Sequence, residues 1–167
     1  MAEKRSSEAN RHDAVAEGLW QRVKEMAMAR KRLENFVFSP DADLSGQKKR
    51  WVDDLIEDEQ KTKLLATEMT LRAFRMGVEG VNYKILALLQ KERAITISRL
   101  ADSTGLPELI VGERVSDLVQ VGLASRDMEN DQVQATLLTD SLVKIVEGVV
   151  EELSQKIRHR MREVVEK

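Results

Sequence analysis

The chain has 167 residues, with 27 Lys or Arg against 29 Asp or Glu and a formal net charge of -2. Hydrophobic residues make up 42% and aromatics only 4%, with two prolines and no cysteine. This composition favours helices around a packed core, and it excludes disulfides, thiolate metal sites and thiol nucleophiles. The lack of cysteine fits a reducing compartment, the polar start "MAEKRSSEANRHD" has no signal-peptide core, and no apolar run approaches the roughly 20 residues of a membrane span, so a cytoplasmic protein without membrane association is expected.

Residues 1–7 are polar and read as a disordered tail. From Glu8 to Asn35, Val15, Leu19, Val23 and Met26 recur at helical spacing with Trp20 beside them, which predicts a first helix. Residues 36–47, "FVFSPDADLSGQ", gather proline, glycine, serine and aspartate into a loop. Ser45 is placed to cap a second helix reaching about Met76, with an apolar face of Trp51, Leu55, Leu65, Met69 and Phe74. Its "DDLIEDE" and the preceding "KKR" read as solvated helix faces. Gly77 and Gly80 in "MGVEGVN" then mark a boundary, so residues 8–80 form an N-terminal helical region.

Residues 81–140 have a different texture. "VNYKILALLQKE" predicts a short apolar helix with Tyr83, Ile85, Leu86, Leu88 and Leu89 inside, and "RLADSTGL" a helix closed by Gly105. Pro107 suits the first turn of the next helix, whose inner face is Val111, Val115, Leu118 and Val119 and which Gly122 ends. A β-hairpin follows: Leu123 to Arg126, a turn at "MEND", and a return from Gln132 to Leu138 in which Val133, Ala135 and Leu137 alternate with polar residues. Thr139 or Asp140 is placed to cap a last helix, over residues 141–167. Leu142, Val146, Val149, Leu153, Ile157 and Val164 line one side of it. That side is too apolar to stand alone in water, and with the N-terminal helices it predicts a dimer interface.

This order gives a mainly α fold, a winged helix-turn-helix with a small two-stranded wing between long dimerisation helices. Ile95 to Leu142 resembles the MarR family of bacterial and archaeal regulators. The residues that carry the likeness are "TISRLADSTGLPELIVGERVSDLVQVGLASRD" and "LLTDSLVKIVE"; arsenic-repressor-like winged helices look similar. The resemblance implies a homodimer that binds double-stranded DNA and regulates transcription. It places contacts on the outer edge of the recognition helix, at Glu108, Leu109, Gly112, Glu113, Ser116 and Asp117, with Arg114 and Arg126 the basic residues nearby. Ser98, Arg99 and Ser103 would touch phosphates from the preceding helix. It also implies a small aromatic effector, for which Trp20, Trp51, Phe74 and Tyr83 are the candidate lining.

Charge complicates this picture. Residues 81–150 hold seven Lys or Arg against ten Asp or Glu, a balance of -3, whereas residues 1–80 hold fifteen of each. The charge neutralisation that supplies most of the sequence-independent affinity for DNA needs Lys or Arg, and a basic footprint is missing where a DNA binder should carry one. Lys156, Arg158, Arg160 and Arg162 offer positive charge elsewhere, and Glu108 and Glu113 can accept hydrogen bonds from cytosine amino groups. The alternative is a winged helix turned into a protein-interaction module, with Leu109 and Ile110 as anchors and Glu108 and Glu113 at the rim. No enzyme, metal or cofactor is expected. His12 and His159 have no recognisable partners in sequence beyond Glu163, four residues after His159, and no phosphate loop or zinc spacing occurs.

Overall fold

A computed structural model describes residues 2–37 and 55–165 of the chain. In chain order the elements are α1 (Ala2–Val37), α2 (Glu59–Gly77), α3 (Gly80–Glu92), β1 (Ala94–Thr96), α4 (Ile97–Thr104), α5 (Glu108–Gln120), β2 (Ala124–Asp127), β3 (Gln132–Ala135) and α6 (Leu137–Val165). This is a mainly helical winged helix. Its three strands form one antiparallel sheet in the order β1-β3-β2. Ile95 lies opposite Val133, and Arg126 lies opposite the same residue from the other side.

Several boundaries differ from the expected ones, each for a local reason. The first helix begins at Ala2, so residues 2–7 continue the helix where a tail was expected; Ala, Glu, Lys and Arg all propagate a helix well. Most of the expected loop, the Ser45 cap and Trp51 lie outside the described residues. The second long helix starts only at Glu59. Asp58 sits in an extended conformation and its side chain accepts hydrogen bonds from the backbone N–H groups of Gln60 and Lys61, which is N-capping geometry. The wing sheet has three strands instead of two, because Ala94–Thr96 pairs with β3; three residues are too few to show an alternation in sequence.

The last helix begins at Leu137, inside the expected return strand, and its cap is Thr136 instead of Thr139 or Asp140. The Thr136 hydroxyl accepts from the Thr139 N–H at 3.3 Å, and the Thr139 hydroxyl accepts from the Thr136 N–H at 3.3 Å. This reciprocal pair works as a capping box does. Thr136 Oγ1 also donates to the Gly122 carbonyl at 2.8 Å, and Thr139 Oγ1 donates to the Leu123 carbonyl. One threonine therefore ties the wing, the end of α5 and the start of α6 together. Thr136→Val is expected to cost about 1–2 kcal/mol, read as a lower urea midpoint with an unchanged slope.

The core lies between α3, α5, the sheet and the start of α6. Ile85, Leu86 and Leu89 from α3, Leu100 from α4, Val111, Val115 and Leu118 from α5, Leu123 and Val133 from the hairpin, and Leu138, Leu142 and Val143 from α6 are all buried. Of the residues expected inside, Tyr83, Leu88 and Val119 are half-buried against this cluster. Helix α1 packs along the start of α6 and adds Val15 and Leu19 to the margin. It also reaches α5, where Arg22 Nε donates to the Gln120 carbonyl at 3.1 Å. A cation there satisfies a last-turn carbonyl and sits at the negative end of the helix dipole.

Candidate nucleic-acid interface

The helix-turn-helix is built by three local devices. Thr96 caps α4, its hydroxyl accepting from the Arg99 N–H at 3.3 Å. Gly105 closes that helix in the left-handed conformation, at φ 71°, which costs glycine no side-chain clash. Pro107 then holds an extended φ of -58° and ψ of 142° immediately before α5. It therefore sits at the cap position, one residue ahead of the expected first turn. With Val111, Val115 and Leu118 buried, the opposite edge of α5 must face outward.

That edge lines an open groove of about 720 Å³ bounded by Ile97, Ser98, Glu108, Leu109, Gly112, Glu113, Ser116, Asp117, Arg126 and Asp131. Eight of the expected contact residues meet here: Ser98, Glu108, Leu109, Gly112, Glu113, Ser116, Asp117 and Arg126. Leu109 is 73% exposed and Ile110, just outside the groove lining, 38%. Nothing lies within 4 Å of where a Cβ on Gly112 would be, so the helix backbone is open to close approach there. Ser116 Oγ donates to the Gly112 carbonyl at 2.9 Å.

Three other expected contacts are elsewhere. Ser103 is exposed on α4 but does not line the groove. Arg99 pairs with Glu92 at 2.9 Å. Arg114 turns back to the α2–α3 junction and pairs with Glu79 at 2.8 Å, which removes its charge from the outward edge of α5. Glu79 also accepts from Asn82 Nδ2 at 3.3 Å, and the same Asn82 amide donates to the Met76 carbonyl at 2.9 Å.

Among the described residues Arg126 is the one base lining the groove, and it is engaged. Its Nη2 lies 2.6 Å from Asp131 Oδ1 across the wing turn, and its Nε is buried without a partner among the described residues. Arg93 pairs with Asp140 at 2.7 Å, so all four arginines between residues 81 and 150 form ion pairs. The wing tip is fixed by Asp127, which accepts from Asn130 Nδ2 at 2.8 Å and from the Glu129 N–H at 2.9 Å. The Asn130 side chain, followed by the Glu129 N–H, holds the Asp127 carboxyl below its ordinary range, so this turn residue is charged at neutral pH. Because the folded value is depressed, the contribution to the turn is present above the ordinary aspartate range and fades as pH falls through the folded value. Met128, beside it, is 78% exposed.

Sequence reading did not foresee Asp131 or Glu79 as arginine partners. The first was detectable, since Arg126 and Asp131 flank one tight hairpin turn. The second, 35 residues from Arg114, leaves no local trace. Of the expected aromatic lining, Trp20, Phe74 and Tyr83 line neither the groove nor the smaller hollow between α1 and the wing. Trp51 lies outside the described residues.

The expected interface residues on α6 divide into two sets. Leu142 is buried and Val146 packs against the core, whereas Val149, Leu153 and Ile157 are exposed. The Val164 side chain lies outside the described ones.

No protein-family model matches the chain, and no curated protein matches it. Among solved structures it is similar to AbfR of Staphylococcus epidermidis, at 15% identity and a TM-score of 0.36, over 81% of this chain and 98% of that one. Among the described residues no helix is long and apolar enough to cross a membrane.

Proposed function

We propose that the chain is a DNA-binding transcriptional regulator of the MarR type that acts as a two-fold dimer, reading duplex DNA with the outer edge of α5 and the wing. The observation that carries this reading is the free edge of α5. Glu108, Leu109, Gly112, Glu113 and Ser116 face an open groove shared with Ser98 and Arg126, while Val111, Val115 and Leu118 commit the opposite side of the helix to the core. An exposed helix edge beside a wing is what entry into a major groove requires, and a dimer would set two such helices one DNA turn, about 34 Å, apart. Ser98, Ser116 and Arg126 supply phosphate contacts, and Glu108 and Glu113 accept from cytosine amino groups.

A second reading is favoured by the acids around the same groove. Glu108, Glu113, Asp117 and Asp131 surround one base, and Leu109 and Met128 stand exposed beside them. These features suit a protein partner, with Leu109 and Ile110 as anchors.

Paired substitutions separate the two. On the DNA reading, Arg126→Ala weakens duplex binding by about tenfold, the order of one charge-assisted hydrogen bond, and Leu109→Ala leaves it unchanged. Duplex binding that survives Arg126→Ala intact removes the wing from the reading. Loss of a protein contact in Leu109→Ala, with fold and assembly preserved, replaces the DNA reading with the interaction module.

A further inference from the structure

Glu79 stands where α3 begins, in an extended conformation at φ -60° and ψ 133°, and its side chain makes no capping hydrogen bond to its own helix. A polar side chain at a helix start ordinarily accepts from the first backbone N–H groups. Glu79 instead turns both carboxylate oxygens to α5, 35 residues away in sequence. Arg114 Nη1 lies 2.8 Å from its Oε1 and 2.9 Å from its Oε2. Asn82, in the first turn of α3, aims that carboxylate. It is wholly buried, and its amide nitrogen donates to Glu79 Oε2 at 3.3 Å and to the Met76 carbonyl at 2.9 Å. Its Oδ1 is buried without a partner among the described residues. Burying an amide with an unpaired acceptor is unfavourable; what Asn82 provides in exchange is a fixed orientation of Glu79 at the end of α2.

Arg114 occupies a particular side of the reading helix. Successive helical residues turn by about 100°, so Arg114 stands a quarter-turn round from Glu113, on a flank between the outward edge and the core. A helix in a major groove presents its outward edge to the bases and its flanks to the phosphates on either wall. A free guanidinium on that flank would meet a phosphate. The pair with Glu79 holds it against the protein instead. Both side chains are partly exposed, 34% for Arg114 and 44% for Glu79, so the pair is weak enough to open.

We infer that Glu79 is a positioning residue that sets the affinity for DNA: it latches Arg114 to the α2–α3 junction and so withholds one phosphate contact per chain. This rests on the DNA reading above and adds the element that regulates the same surface. Asn82 ties Glu79 to the Met76 carbonyl near the end of α2. A displacement of α2 against α3 that breaks this tie also misplaces Glu79 and returns Arg114 to the duplex.

The test compares the full wild-type chain with Glu79→Gln, Arg114→Gln and the double variant, in anisotropy titrations with a generic duplex over a range of salt. Glutamine keeps an acceptor for Asn82 and removes the charge that holds Arg114. Glu79→Gln is expected to bind about three- to tenfold tighter than wild type at low salt. Its plot of log affinity against log salt should be steeper by about one for each chain bound. Arg114→Gln should bind as wild type does, and the double variant should fall back to wild-type affinity and slope. A merely structural role for Glu79 would weaken binding together with the fold, and would not steepen a salt slope that the second substitution cancels. With wild type binding, the latch is overturned by a Glu79→Gln protein of unchanged affinity and slope. It is equally overturned by an Arg114→Gln protein that binds more weakly, since Arg114 then already touches DNA; that arm stands whether or not Glu79→Gln folds. Absence of duplex binding in all four proteins overturns the DNA reading itself, and the latch with it.

Discussion

Asp131→Asn is expected to tighten binding of generic duplex DNA by about three- to tenfold at low salt. Asp131 holds Arg126 at 2.6 Å, and both line the groove that a DNA backbone would enter. An exposed ion pair is worth about 0–1 kcal/mol, so a phosphate can displace the carboxylate, but it meets a repelling charge as it does so. Asparagine keeps the size of the side chain, frees the guanidinium and removes that charge. With each tenfold worth about 1.4 kcal/mol, the expected gain is about 1 kcal/mol. It should shrink as salt is added, because it is a phosphate contact that improves. Anisotropy titrations of wild type and variant at two salt concentrations measure it. An unchanged affinity in a wild type that does bind would mean that Arg126 makes no phosphate contact.

Gly18→Ala is expected to lose about 1–3 kcal/mol of stability, the usual cost of overpacking a filled contact. A Cβ on Gly18 would lie 2.9 Å from Leu138 Cβ and 3.0 Å from Leu138 Cα and N. These are backbone and first side-chain atoms at the start of α6, and they have no rotamer through which to yield. The relaxation available is a shift of α1 away from α6, which would also strain the Arg22 contact to the end of α5. Gly148→Ala gives the contrasting control. Nothing lies within 4 Å of its Cβ position, and replacing an exposed glycine inside a helix stabilises by about 0.5–1 kcal/mol. Thermal unfolding of both variants should therefore shift in opposite directions. A Gly18→Ala protein as stable as wild type would show that α1 is not seated closely on α6.

Much of the fold was legible because burial follows helical spacing. Val111, Val115 and Leu118 in α5, and Ile85, Leu86 and Leu89 in α3, form the core where their periodicity placed them. Gly105 and Gly122 take positive φ where a helix had to end. What escaped depended on partners distant in sequence or on competition between neighbours. β1 exists only because β3 lies beside it. Thr136 precedes Thr139 as the helix cap because its hydroxyl also reaches the Gly122 carbonyl, a bond invisible without the wing. At the site, the outward edge of α5 was readable from its inward one. The ion pairs that occupy Arg99 and Arg114 were not, since both cross between elements.

The recognition edge stays acidic in the folded chain, where Arg126, the one base among the described residues lining the groove, is already paired. The measurement that meets it most directly is a fluorescence-anisotropy titration of the wild-type chain with generic duplex DNA at low and at near-physiological salt. The DNA reading predicts submicromolar binding at low salt that weakens steeply as salt rises, because phosphate contacts release counterions. No binding even at low salt would contradict it, and would leave the α5 edge as a surface for a protein partner.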